Sequence, residues 1–234
     1  MKYTIQAEIL EKYPNLRVGV VVGDGLRVGN RNRRLTEIIR SNIATFLASP
    51  FTGDLQSHPN IAAWREAYSS FGVKPKKHKP TAEALLRRVL KGDEFPRIND
   101  AVDAYLAVEL LHYIPIGGYD LSRVRGDIRL KISQGGEEFH PIGGGETELT
   151  EQGEVVYCDS ASVLTRRWNY RDADHAKITE NSTKILLATE AVYPTISADD
   201  LRGTVDKICE YAELACGGNY RTYFLDGNTV EVTV

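Results

Sequence analysis

Asp127-Ile128-Arg129-Leu130-Lys131-Ile132 alternates charged and apolar residues one by one, which is the period of a strand with one buried face. Gly135-Gly136 then turns the chain into residues 137–142, and the glycines at 143–145 turn it again, so the sequence predicts an antiparallel meander here. Further on, residues 155–158 and 162–170 read as a hairpin around Asp159-Ser160, and 184–192 reads as another buried strand. Ser197 opens a last long helix that turns Leu201, Val205, Ile208 and Ala212 inward and ends at Gly217-Gly218. Asp226-Gly227 predicts a closing hairpin over 220–234.

Before this strand region the pattern is helical. Asn99 is placed to cap a helix carrying Val102, Tyr105, Leu106 and Leu110. Thr81 is placed to cap one carrying Leu85, Leu86, Val89 and Leu90, and Asn60 one carrying Ile61, Trp64, Tyr68 and Phe71, with Gly72 at its left-handed exit. Leu35, Ile38, Ile39, Ile43, Phe46 and Leu47 share a further helical face, preceded by a β-branched strand at 16–22. Helices flanking a mostly antiparallel sheet give an α+β class. The expected organisation is a strand-helix extension over 1–55 and a main domain over 56–234, packed as a single globular unit.

With 42% hydrophobic and 26% charged residues over 234 positions, the composition is that of a globular protein, and a net charge of -3 excludes a generally basic, nucleic-acid-like surface. Basic charge is local instead. Residues 73–80 hold Lys74 and then, between Pro75 and Pro80, Lys76, Lys77, His78 and Lys79, and predict an extended connector. Arg87, Arg88 and Lys91 prolong it, so residues 74–91 carry seven Lys/Arg against one Glu. That asymmetry is either a solvated face or the footprint of a phosphate backbone, for which Lys74, Lys76, Lys77, Lys79, Arg87 and Arg88 are the candidates.

The second concentration of charge is Arg166-Arg167-Trp168-Asn169-Tyr170-Arg171. Guanidiniums fork onto carboxylates or phosphates and stack on flat rings, so the run suits a ligand with both charge and a planar group; a strand pairing its arginines with internal acids is the competing reading. On a strand, Arg167 and Asn169 would share one face and Trp168 the other.

Three cysteines without CxxC spacing and five scattered histidines support no disulfide framework and no metal site, and no cofactor motif occurs; a reducing cytoplasm is the expected setting. No Walker loop, dinucleotide fingerprint, GxSxG or HExxH is present. No apolar run approaches the roughly 18 residues of a membrane helix, and the first residues do not read as a signal peptide.

Several segments, taken in order, carry a family likeness: Trp64-Arg65-Glu66-Ala67-Tyr68, Phe71-Gly72-Val73-Lys74-Pro75, Glu83-Ala84-Leu85-Leu86-Arg87-Arg88-Val89-Leu90, Ile98-Asn99 with Val102-Asp103, and Tyr119-Asp120-Leu121. They continue through Gly126-Asp127-Ile128-Arg129, Gly136-Glu137-Glu138-Phe139, Arg166-Arg167-Trp168-Asn169 and Thr183. Over residues 60–195 the chain resembles the B3/B4 region of the phenylalanyl-tRNA synthetase β subunit, in a free-standing form. The resemblance implies a three-layer α/β sandwich, as in the tRNA-binding domain of that subunit. It also implies a pocket for the aminoacylated 3′ end of a tRNA, and possible hydrolysis of misacylated aminoacyl-tRNA in trans, the second sieve that a poorly discriminating first site needs.

Departures accompany the match. Gly117-Gly118-Tyr119-Asp120 stands where the synthetase has His-Ala-Phe-Asp, Leu106 stands where an Asn follows the Val-Asp pair, and Arg166 to Arg171 replaces a glycine-rich pocket segment. No aminoacylation core is present, so charging of tRNA by this chain alone is not expected.

The residues the resemblance singles out each have a plain alternative role. Asn99 and Asp103 match family positions and also suit a helix cap; Asp120 either contacts ligand or pairs with Arg123 or Arg125. Arg166, Arg167, Trp168, Asn169, Arg171, Asn99, Asp103, Gly117, Gly118 and Asp120 are thus the substrate-binding candidates. Glu138 and Glu190 as water-orienting bases and Thr183 as a donor are the catalytic ones. The competing functions are an amino-acid or small-molecule binding module and a protein-interaction domain, both without catalysis.

Overall fold

The structure, a computed structural model, describes all 234 residues. In chain order the elements are β1 (Lys2–Ile5), α1 (Ala7–Lys12), β2 (Arg17–Asp24), α2 (Arg33–Leu47), α3 (Pro59–Ser70), α4 (Thr81–Leu90) and α5 (Asp100–His112). Six strands and two hairpin pieces follow: β3 (Ile116–Asp120), β4 (Ile128–Ile132), β5 (Glu138–Phe139), β6 (Glu148–Leu149), β7 (Val155–Cys158), β8 (Val163–Arg166), β9 (Arg171–Asp172) and β10 (Lys184–Ala191). The chain closes with α6 (Ala198–Cys216), β11 (Asn219–Leu225) and β12 (Glu231–Thr233).

The strands form two main sheets, ordered β12-β1-β4-β7-β8-β9 and β11-β2-β10-β3, with β5 and β6 as a separate small pair. Every pairing is antiparallel except that of β1 with β4.

Period-2 alternation sorts the side chains into layers. Val18, Val20 and Val22 of β2 and Leu186 and Ala188 of β10 pack with Tyr3, Ile5, Ile128, Leu130, Tyr157 and Leu164 between the sheets. Val21, Ile185 and Leu187 face the other way, onto the helices. There α5 is buried from Asp100 to Leu110, apolar on all sides, and lies with α2 and α6 as the third layer. Gly19 lets α6 approach, since a Cβ on it would lie 2.4 Å from Val205. The molecule is therefore an α+β sandwich of sheet, sheet and helices. Residues 1–55 are woven into it, because β2 is an inner strand of one sheet and β1 of the other.

Several local expectations are corrected. His58, not Asn60, caps α3: Pro59 fits only the first helical position, and His58 Nδ1 accepts from the Asn60 N–H at 3.2 Å. Pro80 likewise sets the entry to α4, so Thr81 is its first residue and caps nothing. Residues 73–80 are not extended, because Lys77 and His78 N–H groups donate to the Lys74 carbonyl in a turn that Pro75 tolerates. The meander at 128–142 does not form: β4 lies between β1 and β7, and β5 pairs only with β6. Asp226-Gly227 turns the chain, but β11 and β12 belong to different sheets. Asn99 and Ser197 cap their helices as expected, the latter through a full capping box.

The largest correction is at 162–170. The strand ends at Arg166, and Arg167 and Trp168 adopt φ of 48° and 68°, a left-handed pair that costs about 1–3 kcal/mol per residue. The burial of Trp168 opposes that cost. Its indole is fully buried, with ring centroids 4.8 Å from Tyr13 and 5.1 Å from Trp64, both edge-on.

Candidate functional site

The arginine run folds into an internal ion-pair network. Arg166, 3% exposed, forks onto Glu154 with Nε–Oε1 at 2.9 Å and an Nη–Oε2 contact at 2.8 Å, and donates its other Nη to Glu148 at 2.7 Å. The Arg167 backbone N–H donates to Glu154 at 3.0 Å, while its guanidinium lies 3.6 Å from Glu151 and 5.4 Å from the Tyr170 ring centroid. Arg171 reaches Glu148 at 3.1 Å. Burial works to raise the Glu154 carboxyl, but Arg166 prevails and holds it below the usual range. The cations expected to meet a ligand are thus matched by the chain's own acids.

A cavity of about 310 Å³ opens beside this network, between the two sheets and under α4 and α5. Gly117 and Tyr119 of β3, Tyr157 of β7, Thr165 of β8, Asp172 of β9, and Ala188 and Glu190 of β10 line it. Trp168, Asn169, Tyr170 and Arg171 form one wall, and Thr81, Tyr105 and Leu106 the rim toward α4. The size suits a small organic ligand.

Two relays of hydroxyls end on its carboxylates. Tyr3 donates to Tyr157 at 2.7 Å, and Tyr157 donates to Glu190 Oε1 at 2.5 Å. Tyr119 and Thr165 oxygens are 2.6 Å apart, and Thr165 donates to Asp172 Oδ1 at 2.6 Å. Neither carboxylate has a cationic partner. Burial pushes Glu190 up to about 7, with Asp172 adding to the shift, and pushes Asp172 up to about 6 although that residue as a whole is half-buried. A third acid, Glu109 of α5, is fully buried, and burial drives it well above the carboxylate range against the opposing pull of Thr81 and the Ile116 backbone. The fully buried Trp168 indole N–H and the Asn169 amide nitrogen, both from lining residues, also lack partners.

Thr81, Tyr105 and Leu106 belong as well to a second, open groove of about 490 Å³. Lys79, Arg87, Arg88 and Lys91 line it, against a single acid, Asp93. Arg87 also pairs with the buried Glu83 at 2.7 Å and Arg88 donates to the Glu94 carbonyl at 2.5 Å, while Lys91 has no ion pair. Lys74, Lys76 and Lys77 project from the preceding turn, exposed. His78 of that turn packs edge-on against Tyr170 at 4.9 Å, joining the basic turn to the cavity wall.

The remaining candidates lie elsewhere. Asn99 caps α5 and donates to the Ile178 carbonyl at 3.1 Å; Asp103 binds Arg97 at 2.5 Å and the Ile98 N–H at 2.8 Å. Asp120 accepts from Ser122 and Ser182 rather than pairing with Arg123 or Arg125. A side chain on Gly118 would strike Leu187 of the helix-facing core, whereas one on Gly117 meets nothing within 4 Å and shares the cavity face of β3 with Tyr119. Glu138 is exposed near His140 on the outer hairpin, and Thr183 is exposed before β10. Of the three catalytic candidates only Glu190 faces the cavity.

Tyr105, Tyr119, Tyr157, Thr165 and Asp172 are not among the site candidates drawn from sequence. Glu190 carries a legible signal, since it continues the inward register of Leu186 and Ala188. Asp172, in a two-residue strand after a left-handed turn, carries none.

The B3/4 domain family model matches residues 63–204, more than half of the chain. No curated protein sequence matches. Among solved structures, an N-terminal fragment of the phenylalanyl-tRNA synthetase β-subunit from Pyrococcus horikoshii aligns with 94% of this chain at 12% identity and a TM-score of 0.49. The chain spans about half the length of that fragment, 50%.

Proposed function

The chain belongs to the B3/4 domain family, and from that premise we propose that it binds the aminoacylated end of a tRNA. The observation that carries this reading is the continuity of two unlike concavities. An enclosed, aromatic, acid-bearing cavity shares Thr81, Tyr105 and Leu106 with an open groove lined by Lys79, Arg87, Arg88 and Lys91. A ligand with a compact, amine-bearing head and a phosphodiester tail complements that pair of surfaces, the head in the cavity and the phosphates along the groove. The arginine run serves as the wall between them and the outer hairpin, and its cations are already bound to Glu148, Glu151 and Glu154.

Recognition, rather than hydrolysis, is what the geometry supports. Ester cleavage needs a base and oriented donors at the scissile carbonyl. Glu138 and Thr183 are remote from the cavity, and Glu190 sits deep between the sheets, engaged by Tyr157.

The test compares charged and uncharged tRNA in equilibrium binding at several salt concentrations, with deacylation followed in parallel. Charged tRNA is expected to bind more tightly. Log affinity is expected to fall with log salt at a slope of about -1.5 to -3, for some two to four single-strand phosphates. A Lys79→Gln/Lys91→Gln double variant should lower both affinities, and Gly117→Leu, which fills the cavity, should abolish the preference for charged tRNA. Absence of tRNA binding at low salt would remove the proposal.

A further inference from the structure

The cavity presents an imbalance that its surroundings do not resolve. Its lining holds two carboxylates, Glu190 and Asp172, and one cation, Arg171, which is committed to Glu148 on the far side of the wall. The charged and titratable groups facing Glu190 are Tyr157 from β7, Tyr3 from β1 behind it, Asp172 from β9, Glu109 from α5, Tyr119 from β3 and Tyr68 from α3. None of them is positive. A buried carboxylate without a counter-charge costs stability, and a chain that builds Arg–Glu pairs a few ångströms away has the means to supply one. Tyr157 donates to Glu190 Oε1 and Thr165 to Asp172 Oδ1, so the second oxygen of each lining carboxylate, on a Glu190 side chain that is itself almost completely buried, is left without a donor from the chain. Four tyrosines, Tyr105, Tyr119, Tyr157 and Tyr170, add aromatic walls, the other surface to which an organic cation is drawn.

We propose that this cavity is a site for a primary ammonium group, held by the Glu190 and Asp172 carboxylates within an aromatic enclosure. The inference rests on reading the cavity as the ligand site of the proposed function. The ammonium has two sources, the α-amino group of an aminoacyl moiety or the end of a cationic side chain, and the two carboxylates treat them alike. Glu190 binds the cation in its ionised form, so occupancy draws a proton from the carboxyl that burial holds near neutrality.

The experiment is isothermal titration of the intact protein with L-lysine methyl ester, L-norleucine methyl ester and N-acetyl-L-norleucine methyl ester, which carry a side-chain ammonium plus an α-ammonium, an α-ammonium alone, and no cation. Saturable binding of either amine, weakened about tenfold or more by Glu190→Gln and by Asp172→Asn, is the expected result. Both substitutions keep the acceptor for Tyr157 or Thr165, and melting temperatures recorded on the same samples report folding. Lysine ester alone binding well identifies a side-chain ammonium; equal binding of both amines identifies the α-ammonium. Either supports the proposal. Titration at pH 6.5 in phosphate and in Tris should differ in enthalpy by the difference between the two buffers' ionisation heats multiplied by the fraction of a proton released, a difference that Glu190→Gln removes. The proposal is overturned if the acetylated ester binds as tightly as the amines, if neither carboxylate substitution weakens binding, or if no ester saturates at about 10 mM. Amine binding without tRNA binding would leave this inference standing and the proposed function lost; the reverse would do the opposite.

Discussion

Two neighbouring regions of this protein gather buried charge and resolve it differently. Around Arg166 every guanidinium meets a carboxylate of the chain, with Glu154 gripped from two sides. Across the Trp168 wall, Glu190 and Asp172 meet only hydroxyls. The first arrangement is self-sufficient: it fixes an irregular turn and needs nothing from outside. The second is stable only to the extent that its acids stay protonated or find a cation. The conspicuous residues of the sequence therefore build the wall of the site, and the inconspicuous ones build its interior.

Breaking the wall should have the largest effect. Glu154→Ala leaves the buried Arg166 guanidinium with only Glu148, a loss of about 3–5 kcal/mol in chemical denaturation. A loss under about 1 kcal/mol would mean the network is not what holds the turn.

Next comes the interior, with the opposite sign. The folded Glu190 holds its proton up to about 7 against an ordinary 4.5, so its burial penalty is absent below about pH 4.5, grows as pH rises toward 7, and is complete above it. Glu190→Gln should then stabilise the protein by about 3 kcal/mol at pH 8 and by little at pH 4.5. A destabilised variant at pH 8 would contradict the contrast between the two regions.

The smallest effect belongs to the outer edge of the network. Arg171 and Glu148 are both substantially exposed, so Arg171→Gln should cost less than about 1 kcal/mol in chemical denaturation.

The contrast also explains what the sequence could tell. The strand at 128–132, the caps at Asn99 and Ser197, the α+β class and the B3/4 likeness were legible because each rests on local pattern or ordered motifs. Pairing partners of β4 and β12 were not, since alternation says which face is buried but not which strand lies alongside. The basic stretch was found, although its shape was misjudged at Pro75. At 166–171 the concentration of charge was legible and the conformation was not: neither Gly nor Asn stands at the left-handed Arg167-Trp168 step itself, which tertiary burial of the indole imposes. The cavity's acids were half visible. Glu190 breaks an apolar register, whereas Asp172 comes to face it only through that unforeseen turn.

The most direct test of the account is carbon NMR of the Glu190 carboxyl in protein labelled at glutamate Cδ, assigned by its disappearance in Glu190→Gln and followed from pH 4 to 9. A midpoint near 7 that moves down when L-lysine methyl ester is added is the expected result. A midpoint at or below about 4.5, unmoved by the amine, would mean that the carboxylate is already satisfied and that the cavity holds no place for a cation.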